Sequence, residues 1–145
     1  MSSLAEVIID DIYPRLYFSL PRLPARASST RLNERGFSIL LLLEMKSKEG
    51  KTLTVGEIGK IGKLSNSDTT RKIKDLEKKG FVRKSICNSD ERSKEVYLTD
   101  QGIQALSIEK EYRKQWFKKF IGALEEKEKA FLHDMLRKFC INHQP

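Results

Sequence analysis

Two short polar segments hold the side chains best suited to specific chemistry. The first combines hydroxyls, a carboxylate, a guanidinium and ammonium groups, and the second repeats a carboxylate, a guanidinium and an ammonium in a turn-rich stretch. Such groups hydrogen-bond to phosphates and to the edges of bases. The candidate contact residues are Ser65, Ser67, Asp68, Thr70, Arg71, Lys72, Lys74, Asp90, Arg92 and Lys94. The pattern therefore favours recognition of a nucleic acid.

Catalysis and metal binding find no support in the residue pattern. The only histidines are His133 and His143 near the C-terminus, and no Ser/His/Asp, paired-carboxylate or metal-ligand spacing occurs. Cys87 and Cys140 fit neither a zinc spacing nor a disulfide framework. We expect a protein that is not an enzyme and needs neither cofactor nor metal.

The first polar segment belongs to a predicted helix, the recognition helix, residues 65–79. The run SNSD is a helix start, with Ser65 or Ser67 as N-cap. An inward stripe of Thr69, Ile73 and Leu76 directs the polar side chains outward, where an arginine can donate two hydrogen bonds to guanine. The lysines at 72, 78 and 79 suit phosphates.

The second polar segment lies at the tip of a predicted β-hairpin, the wing, residues 87–95. Gly80 ends the recognition helix, and a strand over Phe81–Ile86 leads into the hairpin. We expect Arg92 to enter the minor groove of DNA, and Asp90 to hold it by a local ion pair. A helix followed at once by a basic-tipped hairpin predicts a winged helix-turn-helix.

Two further helices are predicted before the recognition helix. One runs from about Asn33 to Met45, and Thr54–Glu57 forms a capping box that opens another over Val55–Leu64. Glycines recur in the latter helix at positions 56, 59 and 62. Because glycine weakens a helix, we expect another backbone to come close there, that of the recognition helix.

The C-terminal third predicts two amphipathic helices, over Ile103–Leu124 and Glu125–Ile141. Together with a short N-terminal stripe, they carry more apolar surface than a small DNA-binding head needs. We expect a homodimer, since two recognition helices commonly read a palindromic site. The candidate dimerisation residues are Leu4, Ile8, Ile12, Tyr112, Trp116, Phe120, Phe131, Met135 and Phe139.

The excess of positive charge is concentrated in the middle of the chain. Residues 1–45 contain five Lys/Arg and five Asp/Glu, residues 46–94 fourteen and seven, and residues 95–145 nine and eight. The formal net charge of +8 is thus almost confined to the helix and hairpin unit. No apolar run reaches transmembrane length and the N-terminus lacks a signal-peptide pattern, so we expect a cytoplasmic protein.

The segment from Leu53 to Gly102 resembles the winged-helix core of the MarR family of transcriptional regulators. The matching pieces are LTVGEIGKIG, DLEKKGFV and DERSKEVYLTDQG. The resemblance implies a mainly α fold with a small β-hairpin wing, as a single protomer of 145 residues. Its winged helix-turn-helix core (33–102) would be flanked by an N-terminal arm (1–32) and C-terminal dimerisation helices (103–145). It also implies a homodimer bound to double-stranded DNA, with repression or activation of nearby genes.

Other readings of the sequence stay open. The run G-K-I-G at 59–62 is similar to the backbone clamp of KH domains that bind RNA. A winged helix can also serve as a protein-interaction module without DNA binding. A small-molecule effector is possible, although no polar cluster picks out its site. Redox sensing by Cys87 or Cys140 is disfavoured by their apolar neighbours.

Overall fold

Helices dominate the computed structural model, which describes residues 32–86 and 90–142. The described helices are α1 (Glu34–Lys48), α2 (Val55–Ile61), α3 (Asn66–Lys78), α4 (Asp100–Ile121) and α5 (Glu126–Asn142). The described strands are β1 (Leu53–Thr54), β2 (Val82–Lys84) and β3 (Glu95–Leu98), with a 3-10 turn at Glu91–Ser93. The expected class, mainly α with a small wing, is confirmed. None of the described helices has the length and apolar character needed to cross a membrane.

Side-chain caps define where the helices begin. Asn33 accepts a hydrogen bond from the Gly36 N–H at 2.8 Å, and Thr99 accepts one from the Gly102 N–H at 3.0 Å. In the predicted capping box, the Thr54 hydroxyl accepts from the Glu57 N–H at 3.2 Å while the Glu57 carboxylate accepts from the Thr54 N–H at 2.8 Å. Each cap satisfies N–H groups that a helix start leaves unpaired.

The three described strands form one antiparallel sheet in the order β1-β3-β2. Leu53 lies opposite Val96, and Val82 lies opposite Leu98. Leu53, Val82 and Val96 are buried, so the sheet closes one side of the core. The strand β1 was not predicted, because two residues carry no periodicity.

Helix α1 supplies the centre of the core. Leu40 is fully buried, and Ile58, Ile73, Leu76 and Leu106 from three other helices are at most 2% exposed. Burying each such side chain stabilises the fold by roughly 1.5–3 kcal/mol. The predicted inward stripe of the recognition helix is confirmed, since Thr69 is also only 1% exposed.

Helices α2 and α3 touch at a glycine. A Cβ placed on Gly59 would lie 2.6 Å from Oγ1 of Thr69, which leaves no room for a side chain. The expected close approach of the recognition helix does occur at Gly59, but it is made by the Thr69 side chain and not by a backbone. It does not extend to Gly56, which faces the carbonyl of Arg92, or to Gly62, which faces the carbonyl of Ile58.

Ion pairs brace α4 against α1. The Arg113 guanidinium donates to both carboxylate oxygens of Glu34, at 2.8 and 3.1 Å, and lies 3.8 Å from the centroid of the Phe37 ring. Further along, the Lys110 ammonium hydrogen-bonds to Glu44. These contacts hold the middle of α4 in a fixed position against α1.

Candidate nucleic-acid interface

The outer face of α3 brings the predicted polar contacts together. One shallow groove there is lined by Ser67, Thr70, Arg71, Lys74, Asp75 and Lys78. The Arg71 side chain is 74% exposed, so its donors can meet a partner. Ser65 is the N-cap and accepts from the Asp68 N–H at 3.1 Å, which decides between the two predicted caps.

A carboxylate orients the arginine on this face. Asp68 Oδ1 accepts from Arg71 Nη2 at 2.8 Å, and Asp68 Oδ2 accepts from the Ser65 hydroxyl at 2.9 Å. Because the carboxylate is itself held by the N-cap, it presents the guanidinium from a defined position. This ion pair was not predicted from the sequence, in which Asp68 was placed only on the surface, although the i, i+3 spacing of Asp and Arg is a usable signal.

The wing turn is held by Asp90 in a way that differs from the expectation. Asp90 Oδ1 accepts from the Arg92 backbone N–H at 3.1 Å, and its Oδ2 accepts from the Ser93 hydroxyl at 3.1 Å. The predicted Asp90–Arg92 ion pair is wrong: within the described residues the two side chains form none. The carboxylate caps the short 3-10 turn, and this leaves the guanidinium exposed toward solvent.

Lys94 is less free to contact a nucleic acid than the sequence suggested, because it forms an ion pair. Its ammonium lies 3.1 Å from Oε2 of Glu91, whose other oxygen accepts from Lys84. Hydrogen bonds from Lys84 and Lys94 hold the pKa of the Glu91 carboxyl below its ordinary value. The contact between Lys84 and Glu91 was not predicted from the sequence, because it depends on how the hairpin folds back.

The G-K-I-G run does not form an exposed clamp. Gly59 is buried inside α2 against Thr69, and Gly62 caps the C-terminal end of the same helix. A KH-type clamp needs its glycine backbone open to a nucleotide chain. The RNA-binding alternative therefore loses its one motif.

The described part of the chain offers no metal site, although it holds one exposed thiol. Across 32–86 and 90–142, no group of three or more His, Cys, Asp or Glu side chains could hold a metal ion. Cys140 is exposed on α5 as a free thiol, whereas Cys87 lies outside the described residues.

Comparisons with known proteins agree with this geometry. The profile of the MarR family matches residues 32–94. An uncharacterized HTH-type transcriptional regulator of Bacillus subtilis (strain 168), YwaE, is 32% identical over 137 residues, which cover 90% of this chain and 77% of that protein. The chain belongs to the MarR family of transcriptional regulators.

Solved structures of MarR-family proteins have the same fold. A MarR family protein from Bacillus stearothermophilus has a TM-score of 0.73 at 21% identity, with 97% of this chain and 98% of that chain covered. An organohalide-sensing transcriptional regulator, RdhR-CbdbA1625, bound to 2,4-dichlorophenol, has a TM-score of 0.66 at 16% identity, with 98% and 82% covered.

The C-terminal helices of this MarR-family chain expose a large apolar surface. On α5, Phe131 is 65% exposed and Phe139 61%, and Met135 and Leu136 are nearly half exposed. Tyr112 on α4 is half-buried. Of the other predicted dimerisation residues, Leu4, Ile8 and Ile12 lie outside the described residues, as do the side chains of Trp116 and Phe120.

Proposed function

We propose that this MarR-family regulator binds double-stranded DNA with sequence specificity as a homodimer. The recognition helix lies in the major groove, and the wing lies in the minor groove. The observation that carries the proposal is the division of α3 into a fully buried face and a hydrogen-bonding face beside a basic wing.

Base reading is assigned to the N-terminal half of the recognition helix. Arg71 donates a bidentate pair to guanine, and Ser67, Thr70 and Lys74 lie on the same outer face. Asp68 Oδ1 lies 2.8 Å from Arg71 Nη2. Part of the entropy cost of ordering the arginine side chain is therefore met before DNA binds. Ser65 and Lys72 are assigned to the phosphate backbone, where contacts position the helix without reading sequence.

Minor-groove contact is assigned to Arg92 at the wing. Its guanidinium is exposed and forms no ion pair with a described residue, and its backbone is fixed by the Asp90 cap. Narrow minor grooves concentrate negative potential and attract such a group. Lys94, paired with Glu91, contributes a phosphate contact at the edge of the groove.

Dimerisation is assigned to the terminal helices. Five large apolar side chains of α5 are exposed in one protomer, and an apolar surface of this kind marks an interface. A twofold axis through these helices would place two recognition helices about one turn of DNA apart. The N-terminal stripe of Leu4, Ile8 and Ile12 is assigned to the same interface.

The decisive experiment is selection of bound duplex fragments from random sequence by the purified protein at physiological salt, with sedimentation to give its mass. An inverted repeat bound by a dimer supports the proposal. Binding without any motif would reduce the protein to a nonspecific DNA binder. Absence of duplex binding would favour the protein-interaction module.

A small-molecule effector is proposed as a second feature of the same regulator. A cleft of about 460 Å³ between α1 and α2 is lined mainly by apolar side chains, together with Arg35, Ser38 and Lys63. It reaches the Gly62–Leu64 turn that leads into the recognition helix. A ligand there would contact the segment that positions α3. Titration with 2,4-dichlorophenol, the ligand of the organohalide-sensing neighbour, tests the cleft. Loss of saturable binding in Leu42→Trp would locate the ligand there, and unchanged binding would place it elsewhere.

A further inference from the structure

We propose that Lys84 is a positioning residue that ties the wing to the recognition helix, so that both elements meet DNA as one rigid unit. This inference rests on the proposed function, because it concerns the two elements assigned to the grooves. It adds a residue that itself touches no DNA.

Lys84 lies at the end of β2, between the two elements it connects. Its ammonium hydrogen-bonds to Oε1 of Glu91 in the wing turn and lies 3.5 Å from Oε2 of Glu77 on α3. The lysine side chain is only 10% exposed, whereas the side chains of Glu77 and Glu91 are 41% and 34% exposed. One nearly buried cation therefore joins two carboxylates from different elements.

Burial makes this contact different from an ordinary surface ion pair. Exposed pairs contribute little, because solvent competes and long side chains lose entropy. A buried ammonium has no such alternative, since leaving it unpaired away from water is costly. Burial lowers the pKa of Lys84, but the hydrogen bond to Glu91 and the charges of Glu77 and Glu91 outweigh it, so the pKa is raised overall. The cation is thus held in its charged state at the junction.

The other described contacts that hold the wing turn lead to α2 and to the sheet, and not to α3. The Val55 N–H of α2 donates to the Lys94 carbonyl at 3.0 Å, and β3 pairs with β2 beyond the turn. Among the described contacts of Glu91, only the one with Lys84 leads toward the recognition helix. Removing the ammonium should therefore free the wing turn from α3 without dismantling the sheet.

Hydrogen exchange in the free protein tests the tie without any DNA. In Lys84→Met, the Ser93 and Lys94 N–H groups, which donate to Asp90 and Glu91 carbonyls, should exchange about tenfold faster, while amides of α1 and α4 keep their rates. Glu91→Gln should produce the same pattern and serves if the first variant folds poorly. The matched control is Lys46→Met, which removes a comparably buried lysine paired with Glu49. Unchanged exchange at the wing turn in both variants would overturn the proposal.

Binding to the selected duplex tests the consequence for recognition. Lys84→Met should weaken binding, and in that background Arg92→Ala should cost much less than it costs the wild type, because the wing is already misplaced. Lys84→Arg should restore both affinity and the full Arg92→Ala loss. A loss on Arg92→Ala that is equal in both backgrounds would leave Lys84 a general structural residue. If the wild type bound no duplex at all, the proposed function would fail, while the exchange result would still decide the tie.

Discussion

Arg71 Nη2 and Asp68 Oδ1 are 2.8 Å apart on the exposed face of α3, and the same carboxylate accepts from the N-cap hydroxyl of Ser65. This chain of contacts connects the start of the recognition helix to the donors proposed to read a base. The pair is exposed, so its own contribution to stability is small. Its importance lies in where it puts the guanidinium.

Asp68→Asn should therefore reduce discrimination more than affinity. The substitution removes the charge that orients Arg71. The ratio of affinities for the selected site and a site with one altered base pair, expressed as a free energy, should therefore fall by about 1 kcal/mol, out of the roughly 1–3 kcal/mol that a bidentate pair supplies. Fluorescence anisotropy with both duplexes measures the ratio. Asp134→Asn is the control, because it removes an equal charge from the exposed surface of α5, away from the groove. A ratio that falls equally in both variants would contradict the orienting role.

Arg92→Ala should weaken binding to every duplex by a similar factor. If the guanidinium displaces one counterion, the slope of log affinity against log salt should become shallower by about one unit. Titrations at several salt concentrations give the slope. Lys127→Ala removes a positive charge from α5 and should leave the slope unchanged; an equal change in both would remove Arg92 from the interface.

Phe131→Asp should convert the protein to monomers. The side chain is 65% exposed in a single protomer, and a carboxylate at its position would be buried without a partner in the proposed interface. Analytical ultracentrifugation measures the mass, with Ile86→Asp as control because Ile86 is 95% exposed at the far hairpin. A Phe131→Asp dimer as stable as the wild type would move the interface elsewhere.

Gly59→Ala should destabilise the fold even though alanine favours helices. The new methyl group would meet Thr69 Oγ1, which is buried and donates to the Ser65 carbonyl at 2.8 Å. Overpacking of this kind costs about 1–3 kcal/mol, against a gain of about 1 kcal/mol in helix propensity. Urea denaturation gives the free energy of unfolding. Adding Thr69→Ala should recover part of the loss, and a loss that remains unchanged would mean that the two helices separate instead.

The ion pairs of Glu91 should give stability a specific pH dependence. Because the folded-state pKa of Glu91 is lowered, its contribution is present above the pKa of the unfolded chain, about 4.3, and is lost as pH falls through the folded value. The unfolding free energies of wild type and Glu91→Gln should therefore differ at neutral pH, where the carboxylate is charged, and should converge as the pH falls through the folded-state pKa of Glu91. A difference that persists in acid would assign it to packing rather than to charge.

The extent to which the sequence predicts this structure depends on how local each signal is. The Thr54–Glu57 box and the Ser65 cap depend on contacts between residues three apart, and the buried stripe ending at Leu76 follows the period of the helix. The structure confirms all three. The mutual spacing of glycines indicated a close approach, but only the three-dimensional path assigns it to Gly59.

The predictions that failed concern choices among competing partners. Asp90 could pair with a guanidinium or cap a turn, and the 3-10 geometry favours the backbone N–H. The Lys84 contacts join residues from three elements, so no spacing rule finds them.

The helix α1 ends at Lys48 and not at Met45 as predicted, because polar residues continue the helix without any apolar period.

Because the wing strand β3 leads directly into α4, a small rotation at the start of this helix produces a large displacement at its other end. Only Thr99 separates β3 from a helix of 22 residues, which is about 33 Å long. A tilt of about 10° at the Thr99 end would move the far end by about 6 Å, close to one helical pitch. The Glu34–Arg113 and Glu44–Lys110 contacts oppose such a tilt, because they hold the middle of the helix against α1.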